Sequence, residues 1–153
     1  MREKKIFNYT WFDIEDPQAR DIEFLKKKFN FHHLALEDCL SSVQRPKIDT
    51  YNDHLFLVFY LPKHNKKNHR TIPLEVDIFI GKEYIITLHQ KGIKPIDEIF
   101  SMIEMANHGM RTESSSLLLY EILDRSFDFC FPMLDKISDK LDSLEDELYH
   151  GEL

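Results

Sequence analysis

Two adjacent acids stand out in the stretch HHLALEDCLSSVQRPKI, residues 32–48. Glu37 and Asp38 lie in a short apolar segment that predicts a helix, and Pro46 ends it because proline holds the preceding residue in an extended conformation. Neighbouring residues of a helix point about 100° apart, so at least one of the two acids must face outward. A third acid, Asp124, lies among apolar residues in YEILDRSF, where an unpaired charge is costly if it is buried.

Carboxylates of this kind can form ordinary ion pairs or hold a cation. Two carboxylates about 4 Å apart repel by roughly 4 kcal/mol at an effective dielectric of about 20, so a cluster needs protons, arginines or a divalent cation. Arg45 and Arg125 are the protein's own candidates for neutralising them. Sites built of carboxylate oxygens suit hard cations, and Mg2+ keeps several waters while taking one or two protein carboxylates. The residues alone leave ion pairs and a weak Mg2+ site as alternatives.

Other chemistry lacks support in the sequence. The four glycines form no phosphate-binding loop, and no Gly-x-Ser-x-Gly nucleophile motif is present. His33 and Glu37 have the spacing of one helical face, but two ligands do not make a zinc site. Cys39 and Cys130 fall at apolar helical positions, which favours free thiols in the core over a disulfide. We therefore do not expect an enzyme.

Composition limits the partners and the surroundings. The chain has 153 residues and a net charge of −7, which predicts one domain that repels phosphate backbones, so we expect no nucleic acid partner. The first residues lack the apolar run of a secretory signal. The longest apolar run, LFLVFYLP at residues 55–62, is the length of a strand and too short to cross a bilayer.

The elements that must position these acids follow from local signals. KKIFNYTWFDI predicts one or two strands, and Asp16-Pro17 predicts the cap and first turn of a helix. Asn52-Asp53 and Gly81-Lys82 each separate two β-rich runs and predict two hairpins. A further helix follows Gly92 and is expected to stop at Gly109.

The last third of the chain predicts one long helix. Its apolar residues follow alternating steps of three and four, a heptad seam that predicts pairing with another helix. The seam residues are Tyr120, Leu123, Phe127, Cys130, Leu134, Ile137, Leu141, Leu144 and Leu148. Aspartates from Asp128 to Asp146 make the opposite face acidic, and Pro132 predicts a kink. We expect the chain to be a fragment, since it ends within this charged segment.

These signals combine into an α/β (α+β) fold with a mixed, largely antiparallel central sheet flanked by helices and a long acidic C-terminal helix. We expect residues 1–112 to form the α/β part and residues 113–153 to form the long helix of the same domain.

The stretch HHLALEDCLSSVQRPKIDTYNDHLFLVFY closely resembles the signature of the cytoplasmic domain of CorA-type magnesium/cobalt transporters. In that family a His-Pro-Leu-x-Leu-Glu-Asp helix precedes Arg-Pro-Lys, an acid, an aromatic residue and a strand that contains Phe. TWFDI, YIITLH and the long segment from YEILDRSF to LEDEL extend the resemblance over most of the chain.

The resemblance implies a homo-pentameric inner-membrane channel with this chain on the cytoplasmic side. Glu37, Asp38 and Asp124 match the acids that hold divalent cations between neighbouring protomers, each facing a carboxylate of the adjacent protomer's pore-lining helix. Bound Mg2+, or Co2+ or another divalent cation, would favour the closed channel.

Two departures limit what the resemblance implies. His33 replaces the family's usual proline, and the Gly-Met-Asn loop, both membrane helices and the pore-lining helix are not in this sequence. A free-standing soluble module that pairs through the heptad seam, and the cytoplasmic domain of a ZntB-like zinc transporter, remain the alternatives.

Overall fold

The computed structural model describes residues 1–41, 45–65, 70–105 and 110–150. These residues form six strands and four helices in the order ββααββββαα. The strands are β1 Arg2–Ile6, β2 Tyr9–Glu15, β3 Lys47–Thr50, β4 His54–Asn65, β5 Arg70–Gly81 and β6 Tyr84–His89. The helices are α1 Ala19–Lys28, α2 His33–Asp38, α3 Lys94–Glu104 and α4 Ser115–His150.

All six strands belong to one sheet with the order β1-β2-β6-β5-β4-β3. Neighbouring strands are antiparallel except for β2 and β6, which run parallel with Trp11 opposite Ile85. The parallel pair joins the N-terminal hairpin to the later strands. The predicted mixed, largely antiparallel sheet is therefore confirmed.

Both predicted hairpins are present. The amide of Tyr51 donates to the carbonyl of His54 at 2.9 Å, which closes the turn at Asn52-Asp53 between β3 and β4. At the second turn a Cβ on Gly81 would lie 2.7 Å from the ring of Tyr84, so this position has no room for a side chain. The hydroxyl of Ser115 donates to the carbonyl of Gly81 at 2.7 Å and ties the first turn of α4 to this hairpin.

Helices cover the two faces of the sheet in separate pairs. Consecutive residues of a strand point to opposite faces, and Trp11 and Phe12 accordingly enter two different apolar cores. The core of Trp11 also contains Ile96 of α3 and Leu118 of α4, whereas the core of Phe12 contains residues of α1 and α2. The sheet is thus the middle layer of three.

The start of α1 differs from the prediction. Asp16 does not cap the helix, because it has a left-handed conformation with φ of 49° and its carboxylate accepts from the amide of Lys91 at 3.0 Å. The N-cap is Gln18, whose backbone amide donates to the Asp21 carboxylate at 3.0 Å. Helix α3 ends at Glu104, and the predicted stop at Gly109 lies outside the described residues.

Helix α4 is one element of 36 residues that continues through Pro132, and its heptad seam does not face the sheet. The residues it buries are Ser115, Leu118, Ile122 and Ser126, at steps of three and four on a different stripe. Cys130 of the seam still packs against the core of the sheet, whereas Leu134 and Leu148 further along the seam are 56% and 67% exposed. This part of the seam therefore remains open to another helix.

A buried ion pair crosses the parallel pair of strands. Asp13 and His89 are 1% and 2% exposed, and the Nε2 atom of His89 lies 3.0 Å from the Asp13 carboxylate. The Nδ1 atom of His89 lies 2.8 Å from the carbonyl of Gln90, so both ring nitrogens face acceptors and both must donate. Burial opposes the charge of His89, but Asp13 raises its pKa. Burial likewise opposes the charge of Asp13, yet bonds from His89, Thr87 and Arg2 hold its pKa below the usual value.

The substitution Asp13→Asn is expected to destabilise the chain strongly, because it leaves the buried His89 imidazolium without its counter-ion. We expect the free energy of unfolding to fall by about 3 kcal/mol at neutral pH, measured by urea denaturation. Glu23→Gln breaks the exposed pair with Lys27 and serves as the control, with no resolvable change expected. Equal effects of the two substitutions would contradict the assignment of a buried ion pair.

A second buried acid, Asp77, lies in an apolar row of the face that α1 and α2 cover. Its neighbours across the sheet are Val58 on β4 and Leu88 on β6, and Asp77 itself is 3% exposed. Its Oδ1 atom has no hydrogen-bond partner. Burial, together with the nearby charge of Glu75, raises the pKa of Asp77 to about 7.

Asp77→Asn is expected to change how stability depends on pH. The folded pKa of about 7 lies above the value of about 3.9 in an unfolded chain, so the native state holds an extra proton between these values and stability falls as pH rises. The variant lacks this titration, so its free energy of unfolding should not show this fall. We expect the difference between variant and parent in free energy of unfolding to favour the variant by about 2–4 kcal/mol more at pH 8 than at pH 5. Urea denaturation at the two pH values measures this, and parallel pH profiles of parent and variant would contradict it.

Candidate metal site

Helix α2 presents Glu37 and Asp38 at its C-terminal end. The ring of His32 accepts from the amide of Leu34 at 3.3 Å and caps the helix, while Ala35 and Leu36 are buried against the sheet. Because the apolar stripe fixes the rotation of the helix, Glu37 is exposed and Asp38 is half-buried. The expectation that at least one of the two acids faces solvent is met.

Asp38 has a cationic partner that the sequence did not suggest. The ammonium of Lys47 lies 2.7 Å from the Asp38 carboxylate and 3.0 Å from that of Asp49. The hydrogen bond to Asp38, followed by that to Asp49, raises the pKa of Lys47. The spacing of nine residues between Asp38 and Lys47 carries no signal of contact in the sequence.

Asp124 occupies the exposed side of α4, between the buried residues Ile122 and Ser126. It forms no salt bridge with any described residue. The neighbouring Arg125 turns instead toward Glu121, with its Nε atom 3.8 Å from that carboxylate. Arg45 is exposed and also forms no salt bridge within the described part of the chain. Neither arginine therefore forms a salt bridge with Glu37, Asp38 or Asp124, although the sequence suggested that role.

The three candidate ligands do not meet within one chain. Glu37 and Asp38 belong to α2 and Asp124 to α4, and these helices pack on opposite faces of the sheet. Within residues 1–41, 45–65, 70–105 and 110–150, no three His, Cys, Asp or Glu side chains are grouped so that they could hold a metal ion. The donor chemistry suits Mg2+, since all three supply carboxylate oxygens, but the described residues of one chain do not bring these ligands together.

None of the helices in the described ranges has the length and hydropathy required to cross a bilayer.

With the fold and these carboxylates in view, the chain can be compared with known proteins. The sequence model of the family described as "CorA-like Mg2+ transporter protein" matches residues 8–152. The chain therefore belongs to the CorA-like Mg2+ transporter family, as the resemblance of its Leu-Glu-Asp and Arg-Pro-Lys segments indicated.

Relatives of known name are longer than this chain. YfjQ of Bacillus subtilis is 32% identical over 142 residues, which cover 93% of this chain and 43% of the relative. The cobalt/magnesium transport protein CorA of Thermotoga maritima is 28% identical over 140 residues, which cover 91% of this chain and 40% of the relative. The chain thus spans about two fifths of the length of these two relatives.

Solved structures share the fold. The soluble domain of CorA from Methanocaldococcus jannaschii superposes with a TM-score of 0.75 at 23% identity, covering 94% of this chain and 56% of that chain. The ZntB cytoplasmic domain from Vibrio parahaemolyticus superposes with a TM-score of 0.72 at 18% identity, covering 90% and 55% of the two chains. At these identities the likeness establishes the architecture and leaves the ion open.

The pair of Lys47 and Asp38 is expected to contribute little to stability, because both side chains are partly exposed. A double-mutant cycle with Lys47→Met and Asp38→Asn should give a coupling energy of about 0.5–1 kcal/mol by urea denaturation at neutral pH. A coupling energy of about 3 kcal/mol would contradict this and indicate a structural ion pair. A small coupling energy means that Asp38 can exchange Lys47 for another cation at little cost.

Proposed function

We propose that the chain is the cytoplasmic, divalent-cation-sensing domain of a CorA-like magnesium/cobalt transporter. In this proposal residues 1–112 are the α/β part, residues 113–153 are the long helix, and the pore-lining and membrane segments lie in a longer protein at the cell inner membrane. The observation that carries the proposal is the family match over residues 8–152, combined with the exposed carboxylates of Glu37 and Asp124, which form no salt bridge with any described residue.

Glu37, Asp38 and Asp124 are the proposed ligands, and each would meet a carboxylate of an adjacent protomer in a homo-pentamer. A divalent cation supplies the positive charge that lets such carboxylates lie close together. When the cation is lost, the acids repel across the subunit boundary and the closed arrangement loses its stabilisation. This is a population shift that follows from the different affinities of the closed and open states for the ion.

Asp38 has a specific part in this proposal. Its present partner, Lys47, is a monovalent cation on a flexible side chain, so a divalent ion at the subunit boundary would compete with Lys47 for the same carboxylate. Such competition weakens binding of the divalent ion. A millimolar Kd corresponds to a binding free energy of about −4 kcal/mol, and a site of this affinity responds to changes of ion concentration in the millimolar range. We expect no catalytic turnover from these residues.

One observation favours a second candidate function. The seam of α4 is exposed from Leu134 to Leu148, which suits pairing with a helix of another protein as well as with the rest of a transporter. Reading the gene beyond codon 153 separates the two. Two apolar spans of about 20 residues with Gly-Met-Asn between them support the transporter, and a stop codon supports the module.

Limited proteolysis of the full-length protein in membranes tests the sensing role. With Mg2+ present we expect the parent protein to resist cleavage, and the double variant Asp38→Ala and Asp124→Ala to lose at least half of this protection while remaining folded. The ligand carboxylates are removed, so the ion no longer stabilises the closed assembly. The matched control is Glu23→Ala with Glu104→Ala, which removes two exposed acids of α1 and α3 and is expected to keep full protection.

Two results would argue against the proposal. Unchanged protection in the double variant would exclude these acids as sensors, even if the protein transports magnesium. Equal loss in the control would assign the effect to net charge and not to a site.

A further inference from the structure

A pocket of about 790 Å3 lies on the face of the sheet that α1 and α2 cover. Its walls come from the loop between β2 and α1, the end of α2, and strands β4, β5 and β6. None of the residues proposed above as metal ligands lines it. The described residues that do are Asp16, Pro17, Gln18, Cys39, Leu40, Ser41, Tyr60, Pro73, Glu75, Asp77, Leu88, His89 and Gln90. We call it the Asp77 pocket.

Asp77 is the feature that distinguishes this pocket from an ordinary surface groove. It lines the wall while 97% of its surface is buried, since its exposed fraction is 3%. Its Oδ1 atom has no hydrogen-bond partner, although nearly all buried polar atoms of folded proteins have one. A donor from a bound molecule would supply the missing bond.

The chemistry of the wall defines the class of that molecule. Three lining residues are acids, Asp16, Glu75 and Asp77. The described lining contains no lysine or arginine, and its one histidine, His89, is paired with Asp13. Glu75 accepts a hydrogen bond from the hydroxyl of Tyr60. Apolar side chains such as Leu40 and Leu88 complete the wall. An acidic wall with apolar parts suits a cation that carries an aliphatic body.

A bare metal ion fits this pocket less well. The lining residues provide no grouping of three metal ligands among the described residues. The volume lies within the range of about 300–1,000 Å3 that is typical of pockets for small organic molecules. The size of the pocket and the spread of its acids both favour an organic cation.

We propose that the Asp77 pocket binds a small aliphatic amine as its ammonium ion, with the ammonium donating to Oδ1 of Asp77 and the aliphatic part lying against the apolar wall. Glu75 lies two residues from Asp77 on the same face of β5, about 7 Å along the strand, so a short diamine such as putrescine can place its second ammonium there.

The protonation of Asp77 adds a signature to such binding. The titratable and charged groups that act on it are Glu75 on its own strand, Asp38 and Cys39 on α2, and Lys47 on β3, while Tyr60 on β4 and Asp16 line the same pocket. Burial and Glu75 raise its pKa to about 7. An ammonium ion favours the carboxylate form, so binding at pH 6 must release a proton from Asp77, and binding at pH 8 must not.

Isothermal titration of the 153-residue chain with putrescine tests the proposal. We expect saturable binding that is about tenfold tighter at pH 8 than at pH 6, as a pKa of about 7 requires. Titrations at pH 6 in phosphate and in MOPS, which differ in ionisation enthalpy, should report the release of close to one proton. Asp77→Asn should weaken binding at pH 8 at least tenfold, and Glu104→Gln, which removes an exposed acid of α3, should leave it unchanged.

Further arms separate a site from general attraction of charge. The uncharged analogue 1,4-butanediol should not bind, and MgCl2 at the same concentration should not displace putrescine. If Asp77→Asn does not fold, two other variants replace it. These are Leu40→Trp, which places a larger side chain in the pocket wall, and Glu75→Gln, and each should weaken binding at least fivefold. The proposal would be overturned if putrescine showed no saturable binding or if Mg2+ displaced it. It would also be overturned if Asp77→Asn, or both replacement variants, bound putrescine as tightly as the parent.

Discussion

The central sheet keeps α2 and α4 apart, and this separation determines what the carboxylates of the domain can do. Consecutive residues of a strand point to opposite faces and enter different apolar cores, so the helices on the two faces do not share a side-chain cluster. Glu37 and Asp38 on one side and Asp124 on the other therefore require ligands from elsewhere. This separation supports the proposed role of these carboxylates at the boundaries between chains.

Two kinds of acid in this domain have opposite physical surroundings. Asp13 is buried against His89 and Arg2, and these partners stabilise its charge within the sheet. Asp77 is equally buried on the other face, but its Oδ1 atom has no hydrogen-bond partner, and its pKa rises to about 7. The first arrangement stabilises the fold, whereas the second leaves a polar atom whose missing partner invites a ligand.

Local signals in the sequence predicted much of the fold. Asn52-Asp53 and Gly81-Lys82 marked both hairpins because tight turns need particular residues. The face that α4 buries was missed, since the strong heptad seam hides the weaker stripe of Leu118 and Ile122 that packs on the sheet. Asp16 was wrongly expected to cap α1, because its contact with Lys91 depends on residues 75 positions away. The same distance in sequence concealed the parallel pairing of β2 with β6.

The candidate site was harder to predict than the fold. The family resemblance identified Glu37, Asp38 and Asp124, but neither the neutralisation of Asp38 by Lys47 nor the burial of Asp77 has a pattern in the sequence. Both depend on the register of strands that pair across the sheet. Charge pairs between distant elements become visible when the tertiary structure is known.

The central claim is that the proposed metal ligands act between protomers and not within one. Calorimetric titration of Mg2+ into the monomeric 153-residue chain and into the full-length assembly tests it most directly, each compared with its Glu37→Gln, Asp38→Asn, Asp124→Asn triple variant. The account predicts saturable binding in the assembly that the triple variant loses, and none in the monomer. Saturable binding by the monomer that the triple variant abolishes would contradict it.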